Sequence, residues 1–326
     1  MKVLVTGGRG FIGTNLVNML LDDDRVEYVV NVDLLTYGSN RYWADYKDHR
    51  YMFFNNDICD TWAMNHLMHE YGITHVMHLA AESHVDRAIG DATPFVRTNV
   101  MGTVSMLDAF KKHNPTDGRF LHVSTDEVFG SLKLEAPSFD EYSKYDPQNP
   151  YSASKASADH FVRSYHNTYG VPTLITNCSN NFGPHQDFEK FIPTIIGNFL
   201  QDKPVPVYGR GSNIRDWIFV EDHCRALIKV LTDGKIGDTY TIGGGLEKSN
   251  IDMVLTIVDC LERLGFKFKK DIQYVMDRAG HDFRYSVSSK KFNRQFGPVH
   301  TDGFIHNLDR TINWYAKELK AAGKIK

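Results

Sequence analysis

The run Phe120–Gly130, FLHVSTDEVFG, ends an apolar, partly β-branched stretch with Ser124, Thr125, Asp126 and Glu127 in succession. Two adjacent carboxylates beside a hydroxyl can do acid–base work. One, ionised, removes a proton while its protonated neighbour gives one, provided that repulsion and partial burial separate their pKa values. Neighbouring side chains on a regular strand face opposite ways, so Asp126 and Glu127 can serve one ligand only if the strand has ended by Asp126. The alternative at this point is a solvated turn in which Thr125 or Asp126 caps a following helix. Further on, NPYSASKASADHF supplies Tyr151 and Lys155 at a spacing that puts both on one helix face. An ammonium near a phenol lowers its pKa, and the phenolate can take a hydroxyl proton as hydride leaves the same carbon. Taken singly, such a pair also arises by chance on exposed helices.

Hydride chemistry needs an acceptor, and the N-terminus offers a place for one. In VLVTGGRGFIG, Gly8, Gly10 and Gly13 match G-x-G-x-x-G, Gly7 adds a further glycine, and Phe11 and Ile12 open a helix. That is a tight turn that lets the backbone approach a pyrophosphate at a helix N-terminus. Asp33, closing VVNVD, stands near the ~20-residue offset of the acid that accepts hydrogen bonds from a ribose and repels a 2′-phosphate. This favours NAD over NADP. Against it, Asp33 could simply cap a turn, and Arg9 within the glycine loop could meet a 2′-phosphate. Asp57 and Ile58, after the third apolar run, are candidates for the adenine edge.

These groups need a scaffold that brings strand ends together. KVLVT, VEYVVNVD, YMFFNND, HVMHLA, RFLHVST and PTLITNC read as strands, with helical patterns near residues 11–22, 61–71, 94–112 and 152–169. Such alternation predicts an α/β Rossmann-type fold, a doubly wound parallel sheet whose ligands sit beyond the carboxyl ends of the strands. After about residue 180 the rhythm breaks into loop-like stretches, with helical patterns near 192–201, 222–232 and 251–263. The expected division is a dinucleotide-binding domain over 1–180, to which later segments return, and a smaller substrate-binding lobe over 181–326.

The net charge of −3 argues against broad attraction to nucleic acid. Cys59, Cys178, Cys224 and Cys260 make neither a CxxC pair nor a zinc pattern, so no metal is expected and the thiols fit a reducing compartment. No apolar run reaches the roughly 18 residues of a membrane span. MKVLVTGG passes straight from strand to turn, unlike a signal peptide. A cytosolic location is expected.

With these motifs VTGGRGFIG, NVDLLTYGSN, HLAAESHVDRAI, VSTDEVFG, YSASKASADH, TNCSNNFGP, EKFIP, VYGRGSNIRDWIFVEDH, TIGGG and DRAGHDFRY, the chain resembles the extended short-chain dehydrogenase/reductase superfamily over nearly its whole length. Within that superfamily it is similar to the dTDP-glucose 4,6-dehydratases, whose mark is the Thr-Asp-Glu triplet. The resemblance implies that Tyr151 takes the 4-hydroxyl proton of a nucleotide-linked glucose while C4 gives hydride to NAD, with Thr125 orienting the reacting oxygen and Lys155 supporting Tyr151. Glu127 then removes the proton at C5, Asp126 protonates the departing 6-hydroxyl, and hydride returns to C6. It further implies cofactor contacts at Gly7, Gly10, Phe11, Ile12, Gly13, Asp33, Thr36, Asp57, Ile58, Ala80, Ala81, Thr98 and Asn181, besides Tyr151 and Lys155. Substrate contacts are implied at His84, Thr125 and Asn180, at Lys190 and Arg215 for the diphosphate, at Pro206 to Tyr208 flanking the base, and at Asn250, Arg278 and His281.

Two departures stand out. Asp187 and Phe188 replace the usual Phe-Pro before Glu189–Lys190, and Leu34 stands where many relatives place Lys. A homodimer pairing the helices near 94–112 and 152–169 is the expected assembly. A 4-epimerase or decarboxylase of the same fold, or an NAD-binding sensor without turnover, are the competing functions. The residues do not decide between dTDP- and UDP-glucose, since the bases differ by one methyl.

Overall fold

Apolar runs that must be covered on both faces become the strands of a buried parallel sheet. The computed structural model describes residues 1–39, 48–277 and 282–325. Its strands are β1 (Lys2–Thr6), β2 (Tyr28–Asp33), β3 (Tyr51–Asn55), β4 (His75–His78), β5 (Arg119–Thr125) and β6 (Thr173–Cys178) in the first half. There follow β7 (Asn180–Phe182), β8 (Val205–Tyr208), β9 (Ile214–Phe219), β10 (Thr239–Ile242), β11 (Glu247–Ser249) and β12 (Ile272–Val275). The main sheet has the order β10-β6-β5-β4-β1-β2-β3, and each of its pairings is parallel. A three-stranded sheet, β11-β9-β7, and the pair β12-β8 make up the rest.

Side chains alternate across the main sheet, and each face meets its own helices. Val3 and Val5 of β1 point to the layer holding Leu16 and Leu20 of helix Phe11–Leu21 and Leu227 of helix Val220–Asp233. Leu4 points the other way, to Met64 and Leu67 of helix Thr61–Glu70, Met106 and Phe110 of helix Gly102–His113, and Val162 of helix Pro150–Tyr169. Strand order reverses between β1 and β4, so the chain leaves their carboxyl ends in opposite directions and opens a crevice there.

The helix carrying Tyr151 and Lys155 is sharply bounded. Asn149 Oδ1 accepts from Ser152 N (3.0 Å), Ser152 Oγ accepts from Asn149 N (3.2 Å), and Pro150 takes the first helical position. Near residues 94–112 the sequence suggests a helix. The structure instead inserts a wide π-turn, Val96–Met101, between Thr93–Phe95 and Gly102–His113. The strands of the second half and the final helix Phe304–Ala321 were not legible as such. Among the described residues no helix is long and apolar enough to cross a membrane.

Leu121 sits in the middle of β5, fully buried, between the helix layer of Leu16 and the end that carries Thr125. Leu121→Ala should lower unfolding free energy by about 2–5 kcal/mol in urea titrations. A loss well below 1 kcal/mol would mean that this layer is not close-packed.

Candidate active site

Three adjoining cavities, of ≈ 140, ≈ 310 and ≈ 700 Å³, run along the carboxyl edge of the main sheet. Gly7, Asp33, Thr36, Asp57, Ile58, Ala80, Ala81 and Thr98 line the first. Phe11, Ile12, Gly13, Thr125, Asp126, Glu127, Tyr151 and Lys155 line the second, which also touches Gly7 and Ala81. The third is walled by Pro206, Tyr208, Arg215 and Asn250, and shares His84, Glu127, Asn180, Asn181 and Lys190 with the second. One cleft therefore gathers most of the residues singled out in the sequence, although Gly8 and Val207 do not line it. Gly10 lies behind it as the helix N-cap. Arg278 and His281 lie outside the described residues.

The glycine turn is built by close approach. Gly7, at φ +70°, donates its N–H to Val32 O (2.9 Å), and a Cβ there would fall 2.7 Å from Ala80 N. A Cβ on Gly13 would lie 2.2 Å from Gly7 O, so the helix can start this near the turn only with glycine. No side chain among the described residues caps helix Phe11–Leu21, and its first residues, Phe11, Ile12 and Gly13, line the second cavity. The Asp33 carboxylate, nine-tenths buried, accepts from Arg9 N (2.9 Å), Leu35 N (2.8 Å) and Ser39 Oγ (3.0 Å). It is a turn cap and a wall of the cavity at once. The Arg9 guanidinium lies 5.0 Å over the Phe53 ring, on β3, and does not line the cavities.

At the other end, β5 stops at Thr125, and Asp126–Phe129 form a single 3₁₀ turn closed by Gly130. Thr125 Oγ1 caps that turn, accepting from Glu127 N at 3.3 Å. Both sequence readings of Thr125 thus describe the same geometry: it caps, and it faces the cavity with both carboxylates. Asp126 is buried, and its Oδ2 has no hydrogen-bond partner among the described residues. Burial pushes its pKa well above the usual carboxylate range, with the charges of Glu127 and Asp216 adding and Arg215 opposing. Glu127 is half-buried; burial raises it too, against Arg215 and a hydrogen bond from Asn149.

Tyr151 and Lys155 enter from helix Pro150–Tyr169, both buried. Lys155 Nζ donates to Val123 O of β5 (2.8 Å). Burial lowers its pKa, while the charge of Asp159 pulls it up. The expected lowering of the Tyr151 phenol is not found in the protein itself. Burial, then the charge of Glu127, holds it well above its ordinary value, and a hydrogen bond with Thr125 pulls the other way.

On the lobe side, Arg215 donates to Ile214 O (2.7 Å) and Asp282 O (3.0 Å) and lies 4.5 Å over the Tyr285 ring. A pairing with Asp216 is not what holds it: Asp216 accepts from Leu246 N (2.8 Å). Asn180 Oδ1 is buried in the cleft without a partner among the described residues, and Asn181 Oδ1 meets His223 Nδ1 at 2.9 Å. Lys190 Nζ reaches Ser83 O (3.4 Å). The departure at Asp187–Phe188 is absorbed locally, since Phe188 packs edge-on against Tyr315 and Asp187 Oδ1 accepts from Glu189 N (2.7 Å). Leu34 lines the first cavity, half-exposed.

Several groups in and around the cleft escaped the sequence reading. Tyr37 borders two cavities, donates to Glu82 Oε2 (2.8 Å), and stacks under the Arg87 guanidinium (3.5 Å), which in turn meets Glu189 at 3.3 Å. Asn149 touches the third cavity as well as capping its helix, and an Asn-Pro pair before a helical pattern was the available signal. Asn99, in the π-turn, donates to Glu82 O (3.0 Å) and Ser154 Oγ (2.8 Å), a role no local pattern reveals. Among the described residues no three His, Cys, Asp or Glu side chains are grouped to hold a metal ion.

A doubly wound sheet with a dinucleotide turn at one end of its cleft and a hydroxyl, phenol, ammonium and two carboxylates at the other defines a nucleotide-sugar modifying class. A family model described as GDP-mannose 4,6 dehydratase matches residues 4–304. The dTDP-glucose 4,6-dehydratase 1 of Escherichia coli K12 is 46% identical, over 100% of this chain and 96% of its own length. The dTDP-glucose 4,6-dehydratase of Neisseria meningitidis is 47% identical over 96% and 93%. The structure of the Streptomyces venezuelae dTDP-glucose 4,6-dehydratase, solved with NAD bound, superposes with a TM-score of 0.92 at 40% identity, covering 98% of each chain. The Thermotoga maritima UDP-glucose 4-epimerase shares the fold, at a TM-score of 0.89 and 22% identity over 98% and 100%. The chain belongs to the dTDP-glucose 4,6-dehydratase family.

Asp126 gives a test that needs no substrate. A carboxyl whose folded pKa is raised contributes stability that is complete below the unfolded pKa, about 3.9, and is lost as pH rises toward the folded value. Asp126→Asn carries no such loss. It should melt close to wild type near pH 4 and above it at pH 7.5. Equal separation of the two melting curves at both pH values would show that Asp126 ionises freely in the folded protein.

Proposed function

We propose that this protein converts dTDP-glucose to the 4-keto-6-deoxyglucose nucleotide and water, using NAD. The observation that carries this reading is the adjacent pair Asp126–Glu127, turned out of β5 into one cavity with Tyr151, where Asp126 is the more deeply buried of the two. A 4-epimerase has no elimination for such a pair to perform.

The residues at the dinucleotide end suit NAD. The Gly7–Gly13 turn and the uncapped helix start would hold the pyrophosphate, Asp33 the adenosine ribose, Asp57 and Ile58 the adenine edge, and Thr36, Ala80, Ala81, Thr98 and Asn181 the remaining length. The chemistry that NAD supplies when bound is removal of hydride from C4 of the glucose and its return to C6. Tyr151 takes the 4-hydroxyl proton, for which it must first be a phenolate. Burial opposes that state, and Lys155 is the cation in the same wall that favours it. Thr125, which lines the same cavity as Tyr151, orients the reacting oxygen. The 4-ketone makes the C5 proton acidic, and Glu127 removes it. Asp126, which burial keeps protonated, gives its proton to the departing 6-hydroxyl, so that water leaves; C5 is reprotonated as C6 is reduced.

Lys190 and Arg215 supply positive charge for the diphosphate, with His84, Asn180 and Asn250 beside it, and Pro206 and Tyr208 flank the base. Arg278 and His281 are assigned to the base and ribose end on the family pattern alone. In this reading residues 1–180 with β10 hold the dinucleotide, and most of 181–326 closes on the nucleotide sugar. Val96 and Met101 on one helical run and Phe161 and Tyr169 on its neighbour are exposed apolar groups, which supports burial against a second copy in a homodimer. Four free thiols suit the cytosol.

Tyr151→Phe, Asp126→Asn and Glu127→Gln should each lower the rate of keto-sugar formation by about 10²–10⁴ with circular dichroism unchanged. A normal rate in the two carboxylate variants would remove elimination from this site. Substrate deuterated at C4 should yield product carrying that deuterium at C6 of the same molecule. Scrambling between labelled and unlabelled substrate would mean that the reaction is not completed in one closed cleft. Comparing dTDP-, UDP- and GDP-glucose should show fastest turnover with dTDP-glucose, and light scattering at micromolar concentration should give a dimer.

A further inference from the structure

We propose that Asp159 is a positioning residue for the reaction: a buried carboxylate one helical turn beyond Lys155 that keeps the Lys155 ammonium charged and ties down the strand end bearing Thr125, Asp126 and Glu127. The proposal rests on the reading of Lys155 given above.

Asp159 has no exposed surface, and a carboxylate so placed is costly unless its charge is matched. Its Oδ2 accepts from Tyr145 OH (2.7 Å) and Asn177 Nδ2 (3.1 Å), both neutral donors. Its Oδ1 stands 3.2 Å from His122 Nε2, and that imidazole is driven down to about 4 by burial and the nearby Lys155 charge, so it is neutral at physiological pH. None of these three neighbours neutralises the carboxylate. The buried cation beside it is Lys155, on the same face of the same helix.

Seen from Lys155, the facing groups tell the same story. Cys178 on β6 is pushed up to about 12 and is a neutral thiol. His78 on β4 is held well below its ordinary range by burial, with the nearby Lys155 charge acting the same way. His122 on β5 is neutral, and Val123 on the same strand offers a carbonyl at 2.8 Å. Tyr151, one turn earlier, is protonated at neutral pH. Asp159 supplies the anion.

A second connection is mechanical. The Asn177 amide that donates to Asp159 also donates to Thr125 O at 3.1 Å. One carboxylate thereby ties helix Pro150–Tyr169, β6 and the last residue of β5. Arg163, a turn further on, braces the network by donating to Tyr145 OH (2.7 Å).

The experiment measures kcat and KM for keto-sugar formation across pH in Asp159→Asn, Tyr145→Phe, Lys155→Met and wild type, with thermal melts of each. Asp159→Asn should move the alkaline limb of kcat down by about one pH unit or more, each unit being a tenfold loss of charged Lys155 above its pKa. Its KM should stay within about threefold, since Asp159 does not line the cleft. Tyr145→Phe, which removes a hydrogen bond but leaves the carboxylate, should leave the limb in place. An unmoved limb in Asp159→Asn, or equal movement in both variants, overturns the proposal. Nitrogen-15 NMR of lysine-labelled protein, with the Lys155 signal assigned by its loss in Lys155→Met, should show the same downward shift in Asp159→Asn without substrate. If Asp159→Asn does not fold, Asp159→Glu carries the test: it should keep the wild-type limb to within about half a unit, and a limb displaced by a full unit overturns the proposal. Lys155→Met should lose about 10²-fold or more in kcat. Retained kcat there would undo the role given to Lys155, whereas loss there with an unmoved limb in Asp159→Asn would undo the role of Asp159 alone.

Discussion

Parallel pairing across the main sheet, from β10 at one margin to β3 at the other, is the constraint on which the site depends. It forces every carboxyl end onto one edge, so the turn after β1, Asp33 at the end of β2, the loop after β4 and the triplet after β5 face the same crevice without any long-range folding of loops. The reversal of order between β1 and β4 keeps helices from filling that crevice. Residues far apart in sequence become neighbours because their strands end together. The second half of the chain then needs only to wall the open side, which it does with short strands and the buried Arg215.

Burial sets the chemistry along that edge. It moves Asp126, Glu127 and Tyr151 toward their neutral forms and Lys155 toward its neutral form too. Left to burial alone the site would hold no charge. Specific partners restore it unequally: Arg215 and Asn149 act on Glu127, Asp159 acts on Lys155, and Asp126 keeps the like charges of Glu127 and Asp216 as neighbours. Two carboxyl groups adjacent in sequence are thereby given different electrostatic surroundings by groups drawn from other parts of the chain.

Those surroundings explain what the sequence could and could not reveal. The first six strands each carry an apolar run and are bounded by turn residues, so they are legible, and β1 and β5 have the limits their patterns suggest. Strand β9, IRDWIF, is buried yet carries Arg215 and Asp216, and a charged pair in a short run reads as loop. Strands β7 and β11 have three residues each, too few to show any period. The groups proposed for catalysis were visible because their types and spacing are unusual. Tyr37, Asn149 and Tyr285 were not, since a tyrosine in a loop or an asparagine before proline has many uses, and only tertiary contact selects one. The phenol's raised pKa was missed for the same reason: spacing shows Lys155 on the right face, but not that two carboxylates and a dry wall lie nearer in effect.

The π-turn at Val96–Met101 makes part of the cleft a matter of counting rather than of side-chain type. It holds one residue more than a regular turn, and from it Thr98 faces the first cavity while Asn99 joins Glu82 to Ser154, beside Lys155. A chain one residue shorter there would relax to an unbroken α-helix whose two flanks keep their phase, because the wide turn already absorbs the extra residue. Helix Gly102–His113 would keep its apolar face on the sheet, while Thr98 and Asn99 would lose the positions that the turn gives them. A single in-frame deletion would thus take Thr98 from the cavity and Asn99 from between Glu82 and Ser154, and leave the packing on either side in place.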